Sequence, residues 1–342
     1  MMSVQIGIAS LSDIQPTTVD GRQRSVEERT KQIVELGVLA DAVGLDTFGL
    51  GEHHSFDFAV SSPAVVLAAI AGRTRSIRLS SAVSTLGALD PVRLYQDFAS
   101  LNLVSSGRAE LIVGRSAYPE PFALFGEPIE SYDALFAEKL DLLLTIRDNP
   151  VVTWQGRFRS PLVGAEVPPR TRNELPIWLG AGGTPASIVR AGRLGLPVVL
   201  GYIGGDAGRL AQLVDLYRQA GAAANVSDRL SVGVALHYLA VTDPSDVDAS
   251  YPFYRDFLRP KKPGGGGFIV EPEQFRRGLE PDGHLMIGAP EQILDKLTRL
   301  HKLLGLDRIQ ALVDWGGLPG EQVDRSVRAL GEFIAPELRG LG

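Results

Sequence analysis

Eight short apolar or β-branched runs punctuate the chain, at residues 4–9, 47–51, 77–85, 109–114, 176–180, 197–202, 230–241 and 308–314. Most are followed by a longer stretch with helical spacing. Continuous apolar strands alternating with amphipathic helices form parallel βαβ units, because such strands are buried on both faces. Eight units are the number that closes a barrel, so the pattern predicts an α/β fold of the (β/α)8 TIM-barrel type, with residues 1–342 as a single domain. The helical stretches support it. Ile33, Leu36, Leu39, Ala40 and Val43 fall three and four apart, and Gly44 follows as a C-terminal cap. Ile293, Leu297, Leu300 and Leu304 repeat the stripe before Gly305.

Two stretches exceed a minimal barrel: residues 148–175 after the fourth strand, rich in Pro, Arg and Gly, and residues 244–285 after the seventh. Both are expected to leave C-terminal strand ends, the face where barrel enzymes carry their sites. The second holds Lys261, Lys262, Pro263 and four glycines at 264–267. Ordering four glycines costs much backbone entropy, which predicts a mobile loop or lid.

Charge and cysteine usage exclude whole classes of function. The formal net charge is −6, and no long block of like charge occurs, which disfavours a nucleic-acid or anionic-membrane partner. Cys is absent, which rules out disulfides, a thiolate nucleophile and Cys-ligated metal centres. Redox chemistry must then come from a borrowed cofactor. The first residues lack the basic and apolar regions of a signal peptide, and no apolar stretch approaches the ~18 residues that span a bilayer, so a cytoplasmic location is expected.

Chemistry-bearing residues gather at strand ends. The second strand runs into Glu52, His53 and His54, which read as an acid–base group, as a structural histidine bonded to a loop carbonyl, or as metal ligands. Neighbours on an extended strand point to opposite faces, which weakens the metal reading, and no metal site is assigned. In the third strand, Ser80, Ser81, Ala82, Val83, Ser84 and Thr85 are small for a barrel interior; they either admit a flat ligand or merely ease packing. At the fourth, Arg115 follows Gly114 and offers a fork suited to phosphate or to a neighbouring carboxylate. At the fifth, Gly180, Ala181, Gly182 and Gly183 lead into Thr184, Pro185, Ala186 and Ser187. A glycine turn entering a helix favours an anion, although an ordinary strand-to-helix turn looks similar. The spacing does not match the dinucleotide fingerprint and no P-loop lysine follows.

Taken in order, Glu52, His53 and His54; Pro63; Asp90 to Arg93; Leu101; Ser106 to Arg108; Gly114 and Arg115; Phe125 and Gly126; the turn at 176–183; and Ile287 to Glu291 resemble the bacterial-luciferase-like monooxygenase superfamily over nearly the whole chain. The resemblance implies an FMN-binding barrel. Its third strand would carry a non-prolyl cis peptide beneath the flavin ring, a rare geometry, which maps to Ala82 and Val83. Arg115 would grip the FMN phosphate with backbone amides of Ala181, Gly182 and Gly183 and a hydroxyl of Thr184 or Ser187. His53 would be the catalytic acid or base and His54 a structural residue.

The implied reaction uses reduced FMN and O2 to oxygenate a small-molecule substrate through a flavin C4a-peroxide, with a flavin reductase or NAD(P)H supplying electrons and a homodimer as the assembly. An F420-dependent hydride-transfer enzyme of the same fold, a non-catalytic flavin-binding protein and a metal-dependent barrel hydrolase or isomerase are the alternatives. Luciferase α subunits carry a reactive cysteine where this chain has Gly114, which removes support for light emission.

Overall fold

The computed structural model describes residues 3–14, 24–116, 118–260 and 267–341. Each of the eight runs supplies a barrel strand: β1 (Gln5–Ser10), β2 (Thr47–Leu50), β3 (Arg78–Ser81), β4 (Ala109–Gly114), β5 (Ile177–Ala181), β6 (Val198–Tyr202), β7 (Val232–Ala240) and β8 (Arg308–Leu312). They pair in parallel in chain order, and β8 returns to β1 with Gln5 opposite Arg308, closing the (β/α)8 TIM barrel. β2 and β4 are buried at every residue, as strands enclosed by a ring of helices must be.

Local chemistry sets the helix ends. A capping box of Ser25 and Glu28 opens the helix Val26–Ala42, and the Asp90 carboxylate accepts from the N–H groups of Val92 and Arg93 at the start of Pro91–Val104. Pro63, Pro91, Pro185 and Pro290 occupy first-turn positions, where a missing N–H costs nothing. Gly44 and Gly305 adopt φ of 74° and 61° and end their helices in the left-handed region. Ile33, Leu36 and Ala40 are buried, as are Ile293, Leu297, Leu300 and Leu304.

A polar layer closes the bottom of the barrel. Arg308 forms a bidentate pair with Glu110, at 2.5 and 3.1 Å, and donates to the Gln5 side chain at 2.7 Å. Its guanidinium carbon lies 3.9 Å from the centre of the Trp178 ring. These side chains come from β1, β4, β5 and β8, so one arginine fastens four strands. At the other end, Arg29 donates to Asp314 at 2.7 Å, and Asp314 accepts from Ser10 at 2.7 Å, tying the first helix to β1 and to the end of β8.

The first insertion corrects the expectation about strand ends. The helix Tyr132–Asp148 follows β4 and carries the chain back to the bottom of the barrel before the extra segment begins. An antiparallel hairpin, Val151–Trp154 with Leu162–Glu166, then climbs the outside, held where Glu138 accepts from the N–H groups of Arg157 and Phe158 and where Arg159 meets Asp90 at 2.7 Å. It therefore does not rise from a C-terminal strand end. The second insertion does: Ser245–Ala249, Tyr251–Leu258 and Pro272–Leu279 are helical, and Met286–Gly288 extends the sheet beside the end of β7. Lys296 anchors it by donating to the Leu285 carbonyl at 2.7 Å. Of the expected lid, Lys261, Lys262, Pro263 and glycines 264–266 lie outside the described residues. No helix among the described residues is long and apolar enough to cross a membrane.

Candidate functional site

A cavity of about 320 Å³ opens at the C-terminal ends of the strands. It exists because the inward positions above the polar floor carry little or no side chain. Gly114, Gly180, Gly201 and Ala235 line it together with Ala82 and Val83. A Cβ added at Gly182 or Gly201 would meet no atom within 4 Å, so the space in front of these residues is open. At Gly114 and Gly180 a Cβ would come within 2.5 Å of a Val83 methyl, so those glycines make room for the valine instead.

The Ala82–Val83 peptide is cis. The β3–β4 ladder is interrupted there, between the pairs Ser80 with Glu110 and Ser84 with Val113. The Ser81 hydroxyl bridges the gap, donating to the Ile112 carbonyl at 2.8 Å and accepting from the Ile112 N–H at 3.1 Å. Ser80 donates to the Ser81 carbonyl at 2.8 Å. The small third-strand residues thus divide: the two serines serve the backbone, and Ala82 and Val83 face the cavity.

One end of the cavity is cationic, because Arg115 lines it. Arg115 donates to the Thr184 hydroxyl at 2.9 Å and to the Asp133 carboxylate at 2.5 Å, and its guanidinium packs over the Tyr132 ring at 5.3 Å. Thr184 precedes the helix Pro185–Leu194, whose first turn has no side-chain cap; Pro185 carries no N–H, and the Ser187 N–H donates to the Thr184 carbonyl at 3.0 Å. Arg115, Ala181, Gly182 and Ser187 line the cavity; Thr184 joins them through Arg115, and Gly183, with φ of 98°, makes the turn behind them. Asp133 holds one arm of the fork, but its side chain is 76% exposed. An exposed pair of this kind is worth little, about 0–1 kcal/mol, and a phosphate can displace it.

The histidines separate. His54 lies 3.0 Å from Glu52, which also accepts from the Thr85 hydroxyl, and Phe125 packs edge-on against its ring. The His54 and Glu52 side chains are both buried. His53 is stacked on Phe58 at 3.8 Å, with Tyr118 edge-on at 5.6 Å and its Nδ1 without a hydrogen-bond partner. Burial, with His54 nearby, pushes its pKa down to about 3, so the ring is neutral at ordinary pH. It lines a small pocket of about 10 Å³ beside the main cavity; Ser116 is common to both. Among the described residues no group of three or more His, Asp or Glu is arranged to hold a metal ion.

The cavity fits a flavin on structural grounds: an apolar slot hollowed by glycines, within the ~300–1,000 Å³ typical of small-ligand sites, with a cationic end at a helix N-terminus. Tyr132, Phe136, Gly201, Ala235 and Gln310 also line it and were not singled out from the sequence. Of the aromatic residues near strand ends, Trp178 lies in the floor under Arg308, while Trp315 and Tyr202 are buried against His237 and His284.

Residues 4–307 match the model of the luciferase-like monooxygenase family. The alkanal monooxygenase alpha chain of the Kryptophanaron alfredi symbiont is 26% identical over 238 residues, covering 69% of this chain and 66% of that one. The FMN complex of the oxygenating constituent of 3,6-diketocamphane monooxygenase from Pseudomonas putida superposes with a TM-score of 0.79 at 18% identity, covering 98% and 99% of the two chains. An F420-dependent secondary alcohol dehydrogenase bound to an F420–acetone adduct gives a TM-score of 0.76 at 14% identity, covering 98% of each.

Proposed function

As the chain belongs to the luciferase-like monooxygenase family, we propose that it is an FMN-dependent monooxygenase that uses reduced flavin and O2 to oxygenate a small organic substrate. The observation that carries this reading is one cavity that joins a hollow apolar slot, floored by Ala82 and Val83, to the Arg115, Thr184 and Ser187 anion end. The flavin, when bound, would supply the reaction with O2. The protein's part is positioning. Arg115 and the uncapped turn at Pro185 would hold the phosphate, Val83 would press on one ring face, and Gly182 and Gly201 would let the ligand touch backbone.

His53 is the proposed acid–base residue. Its neutral ring can accept a proton only when developing charge beside it favours the cation, so its titration is tied to the reaction rather than to bulk pH. Reduced flavin would come from a flavin reductase or be made with NAD(P)H. A cytoplasmic homodimer is proposed on the resemblance, and Val65, 69% exposed on the apolar helix Pro63–Ala71, supports it.

The test is a single turnover. Protein loaded with reduced FMN and mixed with ¹⁸O2 should transfer one labelled oxygen to a candidate substrate, and His53→Ala should slow that step while sparing FMN binding. Label found only in water and peroxide would contradict oxygenation. The fold likeness to the F420-bound dehydrogenase favours a second reading, hydride transfer with F420. Transfer of deuteride from reduced, deuterated F420 to a carbonyl substrate would establish it.

A further inference from the structure

Gln310 stands inside the barrel with its hydrogen bonding incomplete. It lies on β8 two residues above Arg308, on the same inward face, and is 1% exposed. It lines the 320 Å³ cavity, and its Nε2 is buried with no acceptor. The carboxamide lies over Gly49 and beside Ala82, since a Cβ at Gly49 would fall 2.2 Å from Nε2 and 2.9 Å from the Ala82 Cβ. A buried donor left without a partner is destabilising, so a partner supplied by a ligand is the economical explanation.

The distribution of polarity says which ligand atoms those are. Among the described lining residues the other polar side chains, Arg115, Ser116, Tyr132 and Ser187, belong to the anion end or its flank. The opposite wall, from Ala9, Leu11, Ala235 and Leu312, is hydrocarbon except for Gln310. An isoalloxazine ring has one edge of dimethylbenzene and one of alternating carbonyl, N–H and carbonyl. The second edge needs a group that both donates and accepts, and rotation about its last side-chain bond lets a carboxamide do either.

We infer that Gln310 is the residue that hydrogen-bonds the pyrimidine edge of the cofactor ring, in the orientation that places the phosphate at Arg115. The inference rests on the flavin reading of this cavity. A deazaflavin keeps the same edge, so F420 would be held by the same contact.

The test compares wild type, Gln310→Met, Gln310→Leu and Arg115→Ala for binding of FMN and of riboflavin, followed by fluorescence quenching, and for melting temperature without ligand. Removing an unpaired buried amide should leave the melting temperature of the ligand-free protein unchanged or raise it. The same change should weaken FMN and riboflavin alike by about 2- to 13-fold, the worth of one neutral hydrogen bond. Arg115→Ala should weaken FMN and leave riboflavin unchanged. Wild-type affinity for both flavins in both Gln310 variants, or a lowered ligand-free melting temperature in both, would overturn the assignment while the flavin reading stands. Failure of the wild type to bind either flavin would overturn the flavin reading itself, and the Gln310 assignment with it.

Discussion

Arg115 was legible from its place after a strand-end glycine, yet its setting was not. The sequence left phosphate and carboxylate open as partners, and the structure shows the carboxylate, Asp133, beside a Thr184 hydroxyl at the mouth of the cavity. Arg115→Ala is expected to weaken FMN by about 1.5–3 kcal/mol, the scale of a charge-assisted hydrogen bond, as a titration would show. Asp133→Asn should have the opposite sign, tightening FMN by up to ~1 kcal/mol because the competing acceptor loses its charge. Gln310 was invisible beforehand: a glutamine inside an apolar strand says nothing until its inward face and missing acceptor are known. His53 and His54 were distinguishable only by resemblance, whereas the structure separates them by side-chain partners, His54 paired with Glu52 and the His53 ring stacked on Phe58.

The eight strands could be read because strands buried on both faces leave unbroken apolar runs, and each matched its run to within a few residues. The hairpin at 151–166 escaped because its strands are largely exposed, so no burial pattern marks them. The helix Tyr132–Asp148 was missed as the element that sends this insertion to the bottom of the barrel. Two predictions belong to the elements. Gly201 on β6 faces open space and has no positive φ, so Gly201→Leu should fold normally and abolish flavin binding by filling the slot, checked by melting temperature and titration together. In the floor, Glu110→Ala should cost about 3–5 kcal/mol by stranding the Arg308 charge. Replacing both, as Glu110→Leu with Arg308→Met, should restore most of that in a denaturant melt.

Across the whole molecule, three histidines are held neutral by burial, with His53 and His237 pushed down to about 3 and His284 to about 4. The unfolded chain takes up those protons near pH 6.5 and the folded chain does not. The contribution of these histidines to stability is therefore flat above about pH 6.5 and falls as pH drops toward 4, by up to about 1.4 kcal/mol per pH unit for each histidine. His237→Phe, within a cage of Tyr254, Phe257 and Trp315, should shallow that slope in melts between pH 7 and 4. The same neutrality means that the reaction should show no acid limb near pH 6.5 from His53.

Arg115, the glycine-lined slot and Gln310 share one cavity, on which the proposed flavin site rests. Titration of the purified apoprotein with FMN, reduced FMN and F420, repeated with Arg115→Ala, tests this most directly. Saturable quenching by FMN that weakens at least tenfold in the variant is the predicted result. Binding of none of the three, or FMN binding that ignores the loss of Arg115, would contradict it.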